Sequence, residues 1–138
     1  MTNQLTAIRF ILTWLVSPVL AASGLHAASG TWNGTTSAAW SLAGNWSASP
    51  VPGSGDTATF NNAGNGNTTL DLGAGVTIKT LLFDTANATA YTIGTGAANS
   101  QTLTLNDSGV VTMNSTVTNG LLVKATLTLG TATAASWL

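Results

Sequence analysis

The sequence predicts an all-β chain, a β-solenoid, and three observations carry that expectation. Short runs alternate apolar and polar residues with a period of two. Residues that tolerate turns punctuate the runs, and several runs echo one another at about the length of one solenoid coil. Period-two alternation sends successive side chains to opposite faces, so one face is buried while the other meets water.

Taken in order, the expected strands are Leu70-Asp71-Leu72, Val76-Thr77-Ile78, Tyr91-Thr92-Ile93, Leu103-Thr104-Leu105, Val111-Thr112-Met113, Leu121-Leu122-Val123 and Leu127-Thr128-Leu129. The middle residue is usually threonine, whose branched Cβ suits a pleated surface. Breaks fall at 62–67, 73–75 and 106–109, where Gly, Asn and Asp favour turns. After residue 28 no stretch carries a capped helical pattern. Apolar-x-apolar-Gly recurs at Leu70–Gly73, Tyr91–Gly94 and Leu127–Gly130, and Thr102-Leu-Thr-Leu105 returns as Thr126-Leu-Thr-Leu129, 24 residues on. A coil of that length stacks each strand on its counterpart, with aliphatic side chains inside and Thr and Asn facing water.

Bulk composition narrows the function. The chain has 138 residues, no cysteine, a formal net charge of -1 and only 5% charged residues, against roughly 25% in an ordinary soluble domain. Thiolate chemistry and disulfide staples are excluded. With no basic field to hold phosphates, nucleic acid is not an expected partner. Residues 1–27 read as a secretory signal peptide, with Arg9 before the apolar run Phe10–Leu20 and small residues after it, and cleavage expected after Ala27 or Ala22. The run is too short and too broken by Pro18 for a comfortable span of about 20 apolar residues, so no membrane association is expected once it is cleaved. Export without cysteine fits a bacterial envelope, and the localisation expected is secreted or cell surface. Residues 28–67 then form a Trp-rich N-terminal cap segment, and 68–138 the solenoid coils.

From Ala28 onward there is no His, Arg, Cys or Glu, and Thr, Asn, Gly and Ser fill 57 of the 111 positions. Asp56, Asp71, Asp84 and Asp107 are scattered, each near a turn, where aspartate commonly bonds its own backbone. A glycosidase needs two facing carboxylates, and a calcium-dependent lyase needs a carboxylate cluster with a basic partner; only Lys79 and Lys124 are present. No catalytic residue, metal site or cofactor is therefore expected. The candidate binding residues are Trp32, Trp40 and Trp46. They either plug the end of the core with their indole N–H groups satisfied, or form an aromatic platform that stacks on sugars.

The pattern Thr31-Trp-Asn-Gly34, Trp40, Gly44-Asn-Trp46, Pro50-Val-Pro52 and Asp56-Thr-Ala-Thr-Phe60, followed by Val76-Thr-Ile-Lys-Thr-Leu-Leu-Phe-Asp84, Tyr91-Thr-Ile and Leu103-Thr-Leu105, resembles the opening segment of exported bacterial autotransporter-like proteins with autotransporter-associated β-strand repeats. The resemblance runs from about Gly30 to Leu129. It implies a right-handed parallel β-helix displayed outside the cell, in adhesion or surface structure, with surface glycans or other cells as partners. One departure is that no length remains for the outer-membrane β-barrel that ends such proteins. A truncated solenoid is the expectation, with an exposed C-terminal edge inviting self-association. The competing expectations are a β-sandwich carbohydrate-binding module using Trp32, Trp40 and Trp46, and the non-catalytic part of a β-helical polysaccharide-degrading enzyme.

Overall fold

The computed structural model describes residues 28–130 and 136–137; the expected signal peptide, 1–27, lies outside them. Among the described residues nine strands follow in order: β1 (Gly30–Thr31), β2 (Thr57–Phe60), β3 (Thr69–Leu70), β4 (Val76–Phe83), β5 (Tyr91–Ile93), β6 (Thr102–Met113), β7 (Leu121–Val123), β8 (Thr126–Leu129) and β9 (Ser136–Trp137). Every strand-to-strand pairing is parallel. The chain winds as a β-solenoid of about four turns. A β-sandwich would require antiparallel neighbours, and that alternative is set aside.

The strands form a six-stranded sheet, β1-β2-β4-β6-β8 with β9 also on β6, and a three-stranded sheet, β3-β5-β7. The larger sheet is folded along its length. Between β4 and β6 the register jumps from Ile78↔Leu105 to Thr80↔Val110, so Lys79 alone is opposed by four residues, 106–109. A bulge of this kind bends the ladder and divides the large sheet into two faces. One face stacks β1, β2, 80–83, 110–113 and β9; another stacks 76–78, 103–105 and 127–129; β3, β5 and β7 make the third.

Inside each face the alternating residues stack as columns. Ala58, Leu81 and Val111 form one, Leu70 and Ile93 a second, and Ile78, Leu105 and Leu129 a third. All but Leu129 are buried. The aromatic column Phe60–Phe83 is stacked face to face, with ring centroids 4.9 Å apart and planes 14° apart. Threonines occupy the outward positions of the same strands, as Thr77↔Thr104↔Thr128 do. Backbone bonds close each coil onto the previous one at its corners, including Asp84 N to Phe60 O at 2.9 Å, Asn114 N to Phe83 O at 3.0 Å and Gly130 N to Leu105 O at 2.7 Å. Ladders and buried aliphatic rungs hold the described residues together, which accounts for folding at so low a charge content.

Six of the seven expected runs lie within strands, 103–105 and 111–113 as parts of the single strand β6, while of Leu70–Leu72 only Leu70 belongs to one, β3. Two strands are longer than alternation indicated, because β4 and β6 each run through a corner. The break expected at 106–109 is this corner, with Ser108 at a φ of 60. The segment expected as cap also supplies rungs, since β1 and β2 stand in the same sheet as β4.

Candidate functional site

The strongest concentration of specific contacts is the N-terminal end of the solenoid, where 28–50 fold over the first complete coil. β1 pairs with β2 on one edge. Its other edge is taken by the returning segment 45–48: Asn33 N bonds Asn45 O at 2.7 Å, Ser47 N bonds Thr31 O at 2.9 Å, and Thr31 N reaches Ser47 Oγ at 2.8 Å. Trp32 and Trp46 meet there in an antiparallel bridge. Reversing direction at this point terminates a ladder that would otherwise offer free N–H and C=O groups.

The three tryptophans fill the space beneath. Trp32, Trp40 and Trp46 are 0%, 2% and 5% exposed. Trp46 lies edge-on to both others, at centroid distances of 5.1 Å to Trp32 and 4.7 Å to Trp40, and 6.1 Å from Phe60. Each indole N–H donates to a backbone carbonyl: Trp32 to Asn67, Trp40 to Pro52 and Trp46 to Trp40. A sugar-stacking role requires an exposed ring face, and none of the three rings offers one.

Asn45, which the sequence shows only within Gly44-Asn-Trp46, organises the loop around them. Its side chain is fully buried. Oδ1 accepts from Thr36 N at 2.9 Å and Ser37 N at 3.0 Å, while Nδ2 donates to Ala39 O at 2.8 Å and to Ser37 Oγ. Its partners lie six to nine residues back in a loop with no periodic signal, so nothing local in the sequence marks it. Two glycines permit the close approach of this loop to the next coil. Gly34 and Gly64 both have positive φ, and a Cβ on Gly34 would stand 2.2 Å from Gly64 O.

Tyr91 closes the inner side of the cap. Its ring centroid is 4.9 Å from that of Phe60, and its hydroxyl donates to Asn62 O at 2.9 Å. Burial penalises the phenolate and pushes the Tyr91 pKa up to about 12. Asn62 in turn bonds Trp32 O through Nδ2 and accepts from Gly64 N through Oδ1. Beside this network Asn33, Thr35, Asn62, Ala63, Gly64 and Asn65 line an open hollow of about 500 Å³. Its lining is neutral, with amide and hydroxyl groups and no aromatic face.

The aspartates are distributed over the three corners of the coil. Asp84 sits between β4 and β5, and Asp71 follows β3 and precedes the face of Val76; Asp56 and Asp107 share the corner of Lys79, with Lys79 on the coil between them. Asp56 Oδ2 accepts from Gly53 N at 2.7 Å, Asp71 Oδ1 from Gly73 N at 2.9 Å, and Asp84 Oδ1 from Thr85 N at 2.9 Å. Asp71 and Asp84 also accept from amides of the next coil, those of Gln101 and Asn114. The Gly73 N–H, then the Gln101 amide, hold the Asp71 carboxyl below its ordinary range. Gln101 was not marked by the sequence. Its Oε1 accepts from Leu72 N and Thr95 N, so one side chain ties three strands' ends together. Among the described residues no three His, Cys, Asp or Glu side chains gather into a metal-binding group. No helix among them is long and apolar enough to cross a membrane.

What the arrangement does is structural: it closes one end of a hydrophobic column and fixes each corner with a side-chain amide or carboxylate. No protein-family model, curated protein or solved structure matches this chain.

Proposed function

We propose that this chain is an exported, non-enzymatic β-solenoid segment of an autotransporter-like bacterial surface protein, with a structural or adhesive role. The observation that carries the reading is the parallel stacking of uncharged rungs, with threonine columns outside and aliphatic columns inside. Such a stack is stiff, because every backbone group of an inner rung is bonded to a neighbour above and below. A neutral Thr/Asn exterior contacts glycans and other surfaces without strong electrostatic selectivity. The commitment of Asp56, Asp71 and Asp84 to their own turns, at separate corners, supports a non-catalytic role.

The test is to express the full chain in a Gram-negative host and sequence the N-terminus of the material recovered outside the cytoplasm. A new N-terminus near Ala28, and protease-resistant material that holds to cells, is the expected result. Retention of the whole leader in the cytoplasm sinks the export reading.

Carbohydrate binding is the second reading, and the amide-lined hollow at Asn33, Thr35 and Asn65 is what favours it. Retention on an insoluble polysaccharide that is lost in Thr35→Val, while the fold is kept, selects this reading over the first.

A further inference from the structure

We propose that Asn119 is a site of spontaneous deamidation, selected by the fold from three Asn–Gly pairs and positioned to loosen the coil that carries β7 from the coil that carries β5. The pairs are Asn33-Gly34, Asn65-Gly66 and Asn119-Gly120. In this reaction the backbone nitrogen of the glycine attacks Cγ of the asparagine. A C–N bond forms, the bond from Cγ to the side-chain nitrogen breaks, and ammonia leaves with the proton given up by the backbone. Solvent water then opens the succinimide to aspartate or isoaspartate. The step needs a backbone N–H that is free to lose its proton and to turn toward the side chain.

Only one of the three pairs meets that need. Gly34 N–H is bonded to Asn45 O at 3.1 Å, within the buried cap, and Gly66 N–H to Ala63 O at 3.1 Å. Gly120 N–H has no hydrogen-bond partner among the described residues. Asn119 and Gly120 are both exposed, at the end of a stretch, 113–120, in which Val117 alone is half-buried.

The product differs from the parent where it matters for the coil. Asn119 Nδ2 donates to Ala88 O at 2.8 Å, joining the turn before β7 to the turn before β5. Ala88 is fully buried. Conversion removes the donor and sets a carboxylate against a carbonyl oxygen, leaving a buried acceptor unsatisfied. Isoaspartate also lengthens the main chain by one carbon immediately before the register Tyr91↔Leu121, where strand pairing tolerates little slip.

The experiment incubates the full chain at mildly alkaline pH, with peptide mapping by mass spectrometry and isoaspartyl-specific methylation, natively and in denaturant. The expected result is acid accumulating at Asn119 several-fold faster than at Asn33 or Asn65 in the native protein, with the three rates converging in denaturant. Gly120→Ala serves as the control. A Cβ there meets nothing within 4 Å, so the fold is kept while reaction at Asn119 slows several-fold. Asn119→Asp is expected to raise hydrogen exchange across 114–120 and at Ala88 without affecting the cap. A native order led by Asn33 or Asn65, equal native rates, or an Asn119 rate insensitive to Gly120→Ala overturns the proposal.

Discussion

Ile78 and Leu129 belong to the same inward column, yet Ile78 is fully buried and Leu129 is 49% exposed. The same contrast runs through the whole molecule. At the N-terminal end the first rung is covered on its free edge by an antiparallel return, and three indoles seal the column. Toward the last described coil, Met113 and Leu129 stand open although Phe83 and Leu105, their partners in the preceding coil, are buried. A solenoid gives each coil the same local instructions, and burial is then set by whether another layer covers it. Hydrophobicity alone therefore makes a rung; the cap needs specific side chains.

That contrast can be broken from either end. The largest effect is expected from Trp46→Ala, which removes the ring in edge contact with both other indoles. It should cost about 3–5 kcal/mol, read as a fall in the urea midpoint. Failure to lose at least half of that would mean the cap does not hold the N-terminal coil. Asn45→Ala should follow, at roughly 2–3 kcal/mol, because it strands the Thr36 and Ser37 N–H groups and Ala39 O in a buried loop.

Tyr91→Phe is expected to cost about 1 kcal/mol by leaving Asn62 O without its donor. It also changes the response to alkali. The buried phenol has a folded pKa of about 12 against 10.0. Its stabilisation is complete below the unfolded value and is lost as pH rises from 10 towards 12. Urea midpoints across that window should drop less steeply in Tyr91→Phe than in the parent; parallel curves would contradict the assignment. The smallest effect is expected at the open end, where Leu129→Ala should change stability by less than about 0.5 kcal/mol. Ile78→Ala, one column but two coils away, should cost about 2–4 kcal/mol. Equal losses at the two positions would show that Leu129 is covered in solution.

The echoes in the sequence were unequal guides. Thr102-Leu-Thr-Leu105 and Thr126-Leu-Thr-Leu129 do stack residue on residue, across one whole coil. Tyr91–Gly94 and Leu127–Gly130 look as similar but occupy different faces, because Tyr91 pairs with Leu121 and Leu127 with Leu103. Coil length explains the difference. The spacing is 23 residues between Thr57 and Thr80 but 30 between Thr80 and Val110, the added residues lying in the corner at 106–109 and the turn between β5 and β6. Corners lengthen without disturbing the rungs they connect, so a fixed-period reading loses its place.

Alternation of Leu, Ile and Val with Thr sufficed to determine that this chain forms strands and which face of most of them is buried. That information is local, since a period of two fixes side-chain direction whatever the partner. Parallel stacking, the fold of the large sheet at Lys79, the burial of Trp32, Trp40 and Trp46, and the roles of Asn45 and Gln101 were decided only by tertiary structure. Each depends on residues that meet without a local pattern, 23 to 30 positions apart in the stacked rungs and six to nine apart around Asn45.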